Sequence, residues 1–200
     1  MKRIIVVSAC LLLFLSSSYA FGADGPYFSG NIGAAFLTDS DISGGGEDGE
    51  LSFDTGFAVA GAIGTSIDSF RVEGEVSYQS NDIDEVSIDG LGSVDIDGDV
   101  TALSLLLNGY YDFSNDSAFT PYLTAGIGYS NVEVDFDDLG GSENDSVFAY
   151  QLGAGVGYAV TDNVTIDAKY RYFATEDPDF DGVDAEMASH NIYLGIRVNF

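Results

Sequence analysis

The chain has 200 residues, of which 33 are Asp or Glu and only six Lys or Arg, giving a formal net charge of −27 at pH 7. Nucleic acid is excluded as a partner, because binding it needs a basic footprint. A disordered acidic tail is excluded as well, because 46% of the residues are hydrophobic and they recur in regular alternation.

Residues 1–20 read as a secretory signal. Lys2 and Arg3 form a basic start, Ile4 to Leu15 is apolar apart from Ser8, and Ser16 to Ala20 supplies a small-residue cleavage site. Cleavage after Ala20 fits best, with Gly22 or Ala23 as later alternatives. The run is too short for a membrane-spanning helix. Val7-Ser8-Ala9-Cys10 has the outline of a lipoprotein signal, but the apolar run continues past Cys10. Residues 21–200 then form one domain without cysteine, in which 33 acidic side chains face four basic ones, a balance of −29.

Eight stretches in that domain alternate between apolar and polar residues. They are Tyr27 to Phe36, Phe53 to Ile63, Phe70 to Gln79, Thr101 to Phe113, Tyr122 to Val132, Phe148 to Val160, Val164 to Phe173, and His190 to Phe200. Successive strand side chains point to opposite faces, so each stretch predicts a strand with one apolar face. Each is close to the ~9–11 residues that a tilted membrane strand needs. The last is the clearest: His190, Ile192, Leu194, Ile196, Val198 and Phe200 share one parity.

The connections alternate too. Short turns follow Ile63, Phe113 and Val160, whereas 38–52, 80–100, 133–147 and 174–188 are long, polar and rich in Gly and Asp. Short turns on one side and long loops on the other predict an outer-membrane barrel whose loops face outward. Aromatic residues mark both strand ends: Phe28, Phe70, Tyr111, Phe113, Tyr158 and Phe200 on the periplasmic side, and Phe36, Phe53, Tyr78, Tyr129, Tyr150 and Tyr172 on the outer side. Gly126, Gly128, Gly153, Gly155 and Gly157 share the inward parity, where glycine lets curved strands approach.

Pro121-Tyr122-Leu123-Thr124-Ala125-Gly126-Ile127-Gly128-Tyr129, Asp162-Asn163, Lys169-Tyr170-Arg171-Tyr172 and the terminal Phe200 resemble the OmpA-like outer-membrane β-barrels, which include the small OmpX-type and surface-antigen proteins. The resemblance implies an all-β fold: a closed, eight-stranded, antiparallel up-and-down transmembrane barrel with four long extracellular loops and short periplasmic turns. It implies residence in the outer membrane of a Gram-negative bacterium. It also implies that the terminal strand, with Ile196, Val198 and Phe200, is read by the barrel-assembly machinery. A peptidoglycan-binding domain is not expected.

The four basic residues of the mature chain, Arg71, Lys169, Arg171 and Arg197, all have inward parity, as do Asp54, Glu73, Glu75, Asp112 and Asp167. An eight-stranded barrel has room inside only for side chains, and buried charges persist when paired. Arg71, Glu73, Glu75, Asp112, Asp167, Lys169, Arg171 and Arg197 are therefore expected to form a lumenal ion-pair network. A proton path, a gate or an acid–base pair is the sharper alternative. Asn108, at inward parity, is expected to tolerate polar exchange.

The single histidine, His190, falls at lipid-facing parity near the outer membrane surface. Ile192 follows it on the same face and Ser189 points the other way, so no catalytic triad is indicated and no enzyme is expected. Most acidic residues lie in the long loops. Asp95-Ile96-Asp97-Gly98-Asp99 resembles part of a calcium loop but lacks EF-hand spacing and its closing Glu. Asp95, Asp97 and Asp99 are weak metal candidates. Loose calcium or magnesium at the loops is the only cofactor expected. Expected partners are outer-membrane lipid and lipopolysaccharide, the assembly machinery, and a surface ligand met by the loops. The expected role is structural or surface interaction, with a narrow passive channel as the alternative.

Overall fold

A computed structural model of the chain describes residues 25–38, 40–44, 47–88, 92–95, 98–136, 141–176, 179–180, 183–184 and 187–200, and side chains outside 40–53, 83–97, 135–143 and 177–186. The signal read over 1–20, with its later cleavage site up to 23, lies outside the described residues.

Eight barrel strands are present: β1 (Gly25–Leu37), β2 (Gly56–Ile67), β3 (Phe70–Ile88), β4 (Gly98–Asp112), β5 (Phe119–Phe136), β6 (Gly141–Ala159), β7 (Val164–Thr175) and β8 (Ala188–Asn199). Each pairs antiparallel with its neighbours in sequence, from Gly25↔Ser66 between β1 and β2 to Val164↔Val198 between β7 and β8. β1 also pairs with β8, from Tyr27↔Asn199 to Leu37↔Ser189, so the sheet closes. Closure leaves no unpaired edge in lipid, the condition for a sheet to cross a membrane. There is no helix among the described residues.

Local chemistry sets the short turns. β2 turns into β3 at Asp68, whose φ of +52° is a conformation that Asp tolerates better than most residues. Asn115 Nδ2 ties off the next turn by donating to the carbonyls of Phe113 at 3.1 Å and Phe119 at 2.9 Å. Asn163 Nδ2 fastens the third to the Asn199 carbonyl at 3.2 Å.

The long connections differ from expectation. β3 continues to Ile88, and β5 and β6 stay paired as far as Phe136↔Gly141. Much of 80–100 and 133–147 is therefore strand rather than loop, and in 38–52 the strand Ser40–Gly44 pairs with Glu47–Phe53, which pairs in turn with β3. The physical reason is an inversion of polarity. Below Ser130, β5 turns Leu123, Ile127 and Tyr129 outward and keeps Tyr122, Thr124 and Ser130 buried. Above it, Asn131 and Glu133 take the outward parity while Val132 is buried and Val134 packs inside. The alternation persists, but its apolar face has changed sides.

Aromatic rings pair at both rims. On the periplasmic side Phe28 stacks on Phe200 with centroids 4.9 Å apart, and Phe70 meets Tyr111 at 5.1 Å. On the outer side Tyr129 meets Phe148 at 6.2 Å and Tyr150 meets Tyr172 at 6.4 Å. The side chain of Phe53 lies outside the described set.

Candidate functional site

From the outer end, the first lumenal layer is apolar. Val100, Ala102, Val132, Val147 and Met187 form one buried cluster, with Leu37 and Val134 packed against it. These residues come from β1, β4, β5, β6 and the approach to β8, so they close the outer mouth from several walls.

Polar groups follow. Ser104 Oγ donates to Ser130 Oγ at 2.9 Å, Ser189 Oγ to Gln79 Oε1 at 3.1 Å, and Gln79 Nε2 to Asn81 Oδ1 at 3.0 Å. At mid-lumen, Glu75 is the acceptor for two cations on the opposite wall: Arg171 Nη1 lies 2.8 Å away and Lys169 Nζ 3.6 Å. Asn108 Nδ2 also donates to Glu75 at 3.2 Å, and Gln151 Nε2 donates to Asn108 Oδ1 at 2.5 Å. The Tyr193 ring lies under both cations, 4.8 Å from the Arg171 guanidinium and 5.2 Å from Lys169 Nζ.

The periplasmic end is closed by an aromatic cage. Arg71 forms a two-point pair with Asp112, at 2.8 and 2.9 Å, and its guanidinium lies over the rings of Tyr110 at 4.1 Å and Tyr122 at 4.9 Å. Tyr110 donates to Glu73 at 2.8 Å, as does Ser29 at 3.2 Å. Arg197 pairs with Asp167 at 3.4 Å and faces the Tyr27 ring at 5.7 Å. Two glycines make this cage possible. A Cβ on Gly155 would strike the Tyr122 ring, and one on Gly64 the Tyr27 ring.

Arg71, Glu73, Glu75, Asp112, Asp167, Lys169, Arg171 and Arg197 thus all line the lumen, in two groups. Glu75, Lys169 and Arg171 make the first; Arg71, Glu73, Asp112, Asp167 and Arg197 make the second. Asp54 is not among them. It is exposed at the outer end, where its backbone carbonyl accepts from Asn81 Nδ2 at 3.0 Å. The cage tyrosines Tyr27, Tyr110 and Tyr122, and Tyr193 at mid-lumen, are legible in the sequence only as inward parity.

Outside the lumen, His190 faces lipid while Ser189 is buried inside, so these two do not pair. Ile196, Val198 and Phe200 face outward. No metal-ligating cluster occurs among the described residues. Asp97 and the side chain of Asp95 lie outside them, and Asp99 makes polar or electrostatic contacts at the outer end of β4.

An apolar outer wall, two aromatic rims and an inner wall of paired charges define an integral β-barrel protein of a bacterial outer membrane. The chain belongs to the family described as outer membrane protein beta-barrel domain, whose model matches residues 6–200. It is 28% identical over 127 residues to outer membrane protein PagN of Salmonella typhimurium, a match covering 54% of this chain and 53% of PagN; the chain thus matches about half the length of that relative. Among solved structures, Neisserial surface protein A superposes with a TM-score of 0.63 at 25% identity, over 90% of this chain and 99% of that one. OprG of Pseudomonas aeruginosa superposes with a TM-score of 0.58 at 16% identity, over 90% and 99%, a likeness of fold alone.

Proposed function

We propose that the protein is a surface-interaction protein, a rigid barrel that anchors acidic extracellular segments where they meet a ligand, a host surface or neighbouring lipopolysaccharide. One observation carries this reading: buried side chains crowd the lumen at both ends. The apolar cluster of Val100, Val132, Val147 and Met187 lies at the outer mouth and the Arg71 cage at the periplasmic one. A barrel crowded at both ends leaves the outer segments as the place for function, and segments on a rigid scaffold commonly carry it. In this reading the barrel has no catalytic role. Calcium or magnesium associates loosely with the loop carboxylates, and Ile196, Val198 and Phe200 carry the signal for the assembly machinery.

A narrow passive channel is the second reading. Its support is that Gln151 Oε1, Asn191 Oδ1 and Tyr193 Oη are buried with no protein partner among the described residues, as in a wet interior. Planar-bilayer recording separates the two. The surface-interaction reading expects a silent bilayer for the native protein. Steady conductance of the native protein would establish the channel instead.

A further inference from the structure

His190 is the only histidine in the chain, and it stands on the lipid-facing wall of β8. Its depth follows from strand geometry. Ten residues separate it from Phe200, ~33 Å of strand at ~3.3 Å per residue. At a tilt of ~40° this rises ~25 Å, the height of the apolar band of such barrels. Phe200 stacks on Phe28 in the periplasmic rim, so His190 lies at the outer headgroup boundary.

The ring is held in place. Tyr170 lies one pair below on β7, opposite Ile192, and its hydroxyl reaches up to His190 Nδ1 at 2.6 Å. The Tyr172 ring lies beside it, 5.4 Å between centroids. Nε2 has no protein partner among the described residues, and in the tautomer that accepts the Tyr170 hydroxyl at Nδ1 it is Nε2 that carries the hydrogen.

The surrounding wall is short of positive charge. All four basic side chains of the described barrel are inside, so none faces the lipid. At the outer ends of β3, β4 and β5 the outward positions include Asp82, Asp99 and Glu133. These acids stand four positions beyond the girdle residues Tyr78, Leu103 and Tyr129, and Glu176 stands four beyond Tyr172, so the girdle level itself, with Phe36, Tyr78, Leu103, Tyr129, Tyr172 and His190, carries no acid. With every Lys and Arg of the described barrel turned inward, His190 is its only outward-facing basic side chain.

We infer that His190, positioned by Tyr170, takes a phosphate group of an outer-leaflet lipid, Nε2–H donating to a phosphate oxygen. This rests on the outer-membrane placement and not on the role of the loops.

A single histidine makes the test clean. Untagged protein labelled with 15N-histidine and folded in alkyl-glucoside micelles gives one pair of imidazole resonances. The probes are diphosphorylated lipid A, fully dephosphorylated lipid A and inorganic phosphate. The expected result is a shift of the Nε2 resonance with the phosphorylated lipid alone, weakened in Tyr170→Phe. Mass spectrometry of protein purified from membranes should also find at least twofold less bound lipid A on His190→Phe than on the native chain. Equal shifts with the dephosphorylated lipid would reduce the contact to acyl packing and overturn the inference. An equal shift with inorganic phosphate would overturn the lipid source, and unchanged lipid retention in His190→Phe would overturn the site.

Discussion

Arg171 and Glu75 lie 96 residues apart in the chain and 2.8 Å apart in the lumen. β3 and β7 are four strands apart in either direction around the barrel, so this pair, with Lys169, ties opposite walls together. The pairs Arg71–Asp112 and Arg197–Asp167 join only neighbouring strands.

Glu75→Gln leaves two buried cations without their carboxylate. Removing one partner of a buried pair costs roughly 3–5 kcal/mol. Urea unfolding from lipid vesicles should register a loss of that size. The triple replacement Glu75→Leu, Lys169→Met and Arg171→Met should recover most of it, because apolar groups of similar volume need no partner.

Leu105 faces lipid near the middle of β4 and is 46% exposed on the isolated barrel. Leu105→Arg should cost roughly 2–4 kcal/mol in vesicle refolding, the midplane penalty for barrels. Inward parity alone marks Asn108 as tolerant of polar exchange, but its place between Glu75 and Gln151 revises that. Asn108→Ser should also destabilise, through the lost bridge rather than through lipid. A fully tolerated Asn108→Ser would show that this bridge contributes nothing.

Gly155→Val puts a side chain where the Tyr122 ring lies. Overpacking of this kind typically costs ~1–3 kcal/mol. The same change in a Tyr122→Ala background should cost less, because the ring is gone and only the Ala168 carbonyl, 2.6 Å from the added Cβ, still stands in the way. A double-mutant cycle measures the difference, and additive costs would separate Gly155 from the Arg71 cage.

Phe200→Ser should separate assembly from stability. Barrel insertion in cells should fall sharply, while refolding in detergent should fall only by the loss of the stack on Phe28, ~0.5–1.5 kcal/mol for an aromatic pair beyond its burial. Equal losses in both assays would make Phe200 a packing residue and not a signal.

The eight strands and the sidedness of their faces were legible because lipid and lumen impose opposite demands on alternate residues, as at Leu103–Ser104–Leu105 or Lys169–Tyr170–Arg171. Inward parity also located the charges. Who pairs with whom was not legible, since Glu75 could reach several cations and only the stagger of the strands selects Arg171 and Lys169. The outer extensions of β3, β5 and β6 were missed for a different reason. Gly and Asp are frequent there, and the change of phase at Ser130 resembles the end of a strand. Asp54 does not follow the inward parity of its strand because it precedes the start of β2 at Gly56.

The same change of phase on β4, β5 and β6 leaves the barrel no freedom to ride up or down. A vertical step of one residue pair is ~5 Å at the strand rise and tilt of such barrels. Moved inward by that step, the barrel would bring Thr101, Asn131 and Ser146 into hydrocarbon; moved outward, it would lift Leu103, Tyr129 and Phe148 into water. The molecule therefore carries its own waterline. In a thicker bilayer the lipid next to it must thin to meet that line, because the barrel cannot shift to meet the lipid.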